Sequence, residues 1–198
     1  ILILKKTTDL DRFWDPAAQM ALYVFGYIGN SRKHKISQNL DKAGWIQVGW
    51  AQSNRMPHAS IAAGMEYSYL KKYYSELISE FNKLTNNSIS KEELDLAKAT
   101  RINDWRNKTY NPKEFNDFIQ YYYNRNGYSL EKISNMINDI NAVTIEEVNA
   151  AAKKVFDPNN FVMAIAGNKD SCATFLDQFP NIEYYERAEE IRASASSP

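Results

Sequence analysis

Side chains able to hold a metal or act as nucleophiles are scarce: the chain has two histidines, His34 and His58, and one cysteine, Cys172. A zinc hydrolase needs three side-chain ligands and an open position for water, usually with two histidines one helical turn apart so that both project from one face. His34 and His58 lie far apart, and neither belongs to an H-x-x-E-H or H-x-x-E-x-x-H pattern. Both read as surface or capping residues, so the expected catalytic and metal-ligating sets are empty. Cys172 has no second cysteine and no nearby histidine, which leaves it without a knuckle, a disulfide or a thiol-activating base.

The paired carboxylates Glu92-Glu93 and Glu146-Glu147 could suggest acid/base work. Each pair falls in the first turn of an expected helix, where negative charge is favoured by the helix dipole, so capping is the expected role. Tyr121-Tyr122-Tyr123 beside Arg125 could stack unpaired bases, but three consecutive helical residues point in different directions, which favours packing. The basic run Arg32-Lys33-His34-Lys35 reads as a solvated face. G-x-S-x-G, Walker and G-x-G-x-x-G patterns are absent, so phosphate cradling has no support.

The elements that must position these residues belong to one chain of 198 residues, enough to bury roughly 70% of its unfolded surface. Hydrophobic residues make up 44% and charged residues 24%, an ordinary folded composition. Lys+Arg and Asp+Glu balance at 24 each, which leaves no net field to draw in nucleic acid or anionic lipid. The opening Ile1-Leu2-Ile3-Leu4 is too short to span a bilayer, lacks a signal-peptide n-region and reads as a strand. Nucleic acid and membrane are therefore not expected partners. The lack of an initiator Met and the Ser/Ala-rich end suggest a segment of a longer protein.

Asp15-Pro16 is expected to open a helix, apolar nearly all round, that reaches towards Gly29. Trp45 to Trp50 and His58 to Met65 read as an antiparallel hairpin. The apolar stripe Leu70, Tyr73, Tyr74, Leu77, Ile78, Phe81 and Leu84 predicts an amphipathic helix. Ser90-Lys91-Glu92-Glu93 is a capping box that opens a long helix to Tyr110. Asn111-Pro112 starts another, which Gly127 closes. Leu130, Ile133, Ile137 and Ile140 form a further stripe, and Thr144-Ile145-Glu146-Glu147 is a second capping box. After the Asp157-Pro158 break, Phe161 to Ala166 reads as a central strand buried on both faces. A last helix near Ser171 to Phe179 precedes a charged tail. The expected organisation is one α+β domain over 1–185 and a tail over 186–198.

The order of these elements resembles the pitrilysin/insulinase-type zinc peptidases, the inverzincin group that includes the insulin-degrading and mitochondrial-processing enzymes. Ser88 to Lys98, Val143 to Val148, the Asp157-Pro158-Asn159-Asn160 turn and the strand ending at Gly167 carry the resemblance, which covers about 16–167. It implies a mostly antiparallel sheet with helices packed on one face, as in mitochondrial-processing-peptidase-like metallopeptidase domains. Such domains assemble into a clam-shaped chamber around peptide substrates, and only one domain of each enzyme binds zinc.

The resemblance places the inverted zinc motif of a catalytic domain on the helix that here follows Asp15, which carries no histidine or acidic pair. Some partner domains complete the active site with an Arg and a Tyr around a Gly. In Leu40-Asp41-Lys42-Ala43-Gly44-Trp45-Ile46-Gln47 those places hold Leu40 and Gln47, so no substrate-binding residue is assigned. The resemblance thus implies a non-catalytic, chamber-forming domain of a larger zinc-dependent metalloendopeptidase. Its expected partners are the catalytic domain or subunit and a peptide substrate, with zinc held there and no cofactor in this segment. The alternative is a catalytically dead scaffold of the same fold, like respiratory-complex core subunits. No compartment is fixed, with a bacterial periplasm favoured over others.

Overall fold

The computed structural model describes residues 2–6, 15–39, 45–51, 58–125, 127–159 and 161–184. The chain forms two compact units, Ile1–Ala166 and Gly167–Pro198. The tail expected over 186–198 lies outside the described residues. In the first unit, β1 (Leu2–Lys6), α1 (Pro16–Gly26), α2 (Arg32–Asn39), the hairpin β2 (Trp45–Ala51) and β3 (His58–Gly64), and α3 (Leu70–Thr85) follow in order. Then come α4 (Lys91–Thr109), α5 (Pro112–Gln120), a π-helical turn (Tyr121–Arg125), α6 (Leu130–Ala142), α7 (Ile145–Val155) and β4 (Val162–Ala164). The second unit contains α8 (Lys169–Leu176), capped by the Asn168 side chain.

The four described strands form an antiparallel sheet in the order β2-β3-β1-β4. Helix nonetheless makes up the greater part of the described chain, so the α+β class holds with helices rather than sheet dominant. Alternation sets the two faces of β3: Ala59, Ile61 and Ala63 are buried in the core, and Ser60, Ala62 and Gly64 between them are less buried. β4 corrects an expectation. It has only three residues, pairs with β1 at the end of the described sheet, and leaves Val162 63% exposed. It is not the central strand buried on both faces that the run Phe161 to Ala166 suggested. A continuous apolar run records hydrophobicity but not which strands flank it.

Local chemistry fixes the helix starts. The Asp15 carboxylate accepts from the Ala18 amide at 2.9 Å, and Pro16 fills the first helical turn where no amide partner is needed. Both capping boxes form: Ser90 with Glu93, and Thr144 with Glu147. These pair members are therefore occupied in capping. Gly127, at φ +67°, takes the left-handed conformation that ends the π turn, and its amide donates to the Tyr123 carbonyl.

The core is centred on α1, whose residues Ala18 to Gly26 are all buried. It packs against α7, α4, α2, α6 and β2. Phe25, Phe81 and Phe156 meet with ring centroids 5.3–5.8 Å apart, which joins α1 to α3 and to the end of α7. The buried Asn149 is satisfied: its oxygen accepts from the Ile89 amide and its nitrogen donates to the Ile145 carbonyl.

Arg32 departs from the solvated basic face expected of it. Its side chain is only 11% exposed and donates to the Ser88 carbonyl at 3.0 Å and to Glu93 Oε2 at 2.9 Å. Its Nε lies 2.9 Å from Glu93 Oε1 but is not aligned to donate to it. Glu80, 8% exposed, lies 3.4 Å from the guanidinium and also meets Lys83. One cation thus ties α2 to α3, to the α3–α4 turn and to the capping carboxylate of α4. Lys33 is half-buried, and His34 and Lys35 are exposed.

Two mutational outcomes follow from this packing. Arg32→Ala takes the shared cation from the poorly solvated Glu80 and Glu93, leaving Glu80 with only the exposed Lys83, and should lower the unfolding free energy in urea by about 3 kcal/mol. Removing the exposed Lys91 of the Lys91–Asp95 pair should leave the urea midpoint unchanged; equal losses would show that the Arg32 cluster is no different from a surface pair. At Gly26 an added Cβ would come within 2.6 Å of the Val48 side chain, whereas at Gly29 it would meet nothing within 4 Å. Gly26→Ala should therefore cost roughly 1–3 kcal/mol by overpacking and lower the melting temperature by several degrees, with Gly29→Ala as the near-silent control.

Candidate functional site

The helix in the place of the resemblance's catalytic motif is α1, and its polar side chains fall on one stripe. Gln19, Tyr23 and Tyr27 follow at successive four-residue intervals, so they point the same way from a helix that is otherwise apolar. Gln19 and Tyr23 are buried, at 4% and 8% exposed. Opposite them, α4 presents Arg101, Asp104 and Trp105 from successive turns of one face.

A polar network joins these helices. The Tyr23 hydroxyl donates to Asp104 Oδ2 at 2.9 Å and accepts from Arg101 Nη1 at 3.0 Å. Arg101 Nη2 donates to the Tyr122 hydroxyl at 3.2 Å, which brings in the π turn. The guanidinium lies 4.5 Å from the Trp105 ring centroid and 5.4 Å from that of Tyr23. Tyr27 stacks on Tyr23 at 4.7 Å and donates to the Val48 carbonyl of β2. Phe118 packs between Trp105 and Tyr122, and Tyr128 stacks on Tyr122.

This arrangement disfavours proton transfer near neutrality. Burial pushes the Tyr23 phenol far above its usual range; the Arg101 charge offsets part of that, and the hydrogen bond to Asp104 adds to it. Burial also raises Tyr122 and Tyr27. A phenol held protonated is neither a metal ligand nor a general base, and Arg101 already places a fixed cation in the seam. The residues at the one-turn spacing that two histidines would need are Gln19 and Tyr23, and they do not fit zinc.

The other candidates are dispersed. His34 is exposed on α2, with Nε2 3.0 Å from Gln38 Nε2, while His58 belongs to β3. Among the described residues, no three His, Cys, Asp or Glu side chains come together as a metal site. Cys172 is a free, buried thiol in α8 of the second unit. Tyr122 is buried, while Tyr121 and Tyr123 are exposed on either side of it, so the tyrosine run forms no single platform. Arg125 closes the π turn. Leu40 lies outside the described residues. Gln47 is exposed on β2, opposite Ala62, and alternates with Ile46 and the buried Val48. Sequence reading missed Tyr23, Arg101 and Asp104. The available signal was the four-residue polar repeat on a helix expected to be apolar all round.

Tyr23→Phe should destabilise by about 1–3 kcal/mol, because Asp104 loses its donor and Arg101 an acceptor in a half-dry seam. Tyr73→Phe should be neutral or stabilising, because the buried Tyr73 hydroxyl has no hydrogen-bond partner among the described residues. Burial raises the Tyr23 and Tyr73 phenols above their unfolded value of about 10, so their contribution is intact below pH 10 and lost as pH rises beyond it. Ultraviolet titration should therefore show tyrosines that ionise only as the fold is lost in alkali. Full ionisation near pH 10 without unfolding would contradict the buried seam.

No protein-family model matches the chain, and no curated protein matches it in sequence. Solved structures do resemble it. The inactive peptidase domain of a protein assigned as a zinc protease from Bordetella parapertussis superposes with a TM-score of 0.67 at 13% identity, covering 81% of this chain and 86% of that one. A peptidase M16 inactive domain from Pseudomonas fluorescens gives 0.60 at 16% identity, over 78% of this chain and 37% of that one. A chain of Complex III2 from Candida albicans gives 0.58 at 15% identity, over 77% and 39%. The chain thus has the fold of M16-like, pitrilysin-type peptidase domains, including ones described as inactive.

Proposed function

We propose that the chain is a non-catalytic, chamber-forming domain of a larger zinc-dependent metalloendopeptidase that cuts peptides or unfolded segments. The observation that carries this reading is the α1–α4 seam. The helix comparable to the zinc-binding one spends its one-turn polar spacing on the buried Gln19 and Tyr23, and Arg101 and Asp104 are committed to the Tyr23 hydroxyl. Zinc and the hydrolytic step belong to a catalytic domain of the same polypeptide or of a partner subunit. Two of the three similar structures named above are more than twice as long as the stretch this chain covers, which is compatible with such a companion. The physical role is enclosure: paired shells admit extended chains and exclude folded ones.

A second reading is supported by the likeness to a chain of Complex III2: a scaffold with the same fold and no peptidase activity around it. The two readings separate in one assay of the full gene product together with its co-expressed neighbour. Hydrolysis of a quenched fluorescent peptide is followed with and without a chelator, and with and without this segment. Chelator-sensitive cleavage that requires the segment is expected. Cleavage unaffected by deleting the segment would overturn the chamber role, and no cleavage in any combination would favour the scaffold.

A further inference from the structure

We draw no further inference here: the strongest candidate, the set of exposed aromatic side chains Tyr110, Phe115, Tyr121 and Tyr123 along α5 and its flanking turns, carries nothing because nothing in the structure shows what covers it.

Discussion

The burial of α1 is the constraint on which the rest of the first unit depends. A helix with nine consecutive buried residues has no solvent face, so neighbours must cover it on every side. β2 meets it through Val48 at Gly26, α7 and α3 meet it through the phenylalanine cluster at Phe25, and α4 closes the remaining side. Burying the apolar side chains is favourable by itself. Burying the Tyr23 hydroxyl is not, and α4 supplies the acceptor and donor that offset that cost.

Asp104 and Arg101 answer the Tyr23 hydroxyl as acceptor and donor, and Trp105, Tyr23 and Tyr122 supply aromatic surface and a second acceptor for the guanidinium. The result is a charge-balanced set of hydrogen bonds around the Tyr23 hydroxyl, while the buried Gln19 Oε1 has no hydrogen-bond partner among the described residues. Pairing of this kind joins α1 to α4 and commits the Tyr23, Arg101 and Asp104 side chains to one another. Arg32 plays a parallel part at the other end of α4, where one guanidinium reaches both Glu80 and Glu93 under cover.

Much of this architecture was legible from local signals. Asp15-Pro16, Ser90 with Glu93, and Thr144 with Glu147 mark helix starts through contacts within four residues, and the Leu70 to Leu84 stripe marks a buried face. The strand hairpin was readable for the same reason. Long-range pairing was not. Tyr23 and Asp104 are 81 residues apart, and no pattern within either helix announces the other. Arg32 looked like part of a solvated basic run because its neighbours are more exposed, yet its partners lie 48 and 61 residues on. β4 was misplaced because an apolar hexamer reads alike in the middle of a sheet and at its end.

The most direct measurement is zinc stoichiometry: the purified chain is equilibrated with zinc, dialysed against metal-free buffer and analysed for metal. A seam already filled by Arg101, Tyr23 and Asp104 should retain well below one equivalent. Retention of one zinc per chain, lost on substituting Gln19 or Asp104, would contradict a domain whose α1–α4 polar side chains are committed to one another.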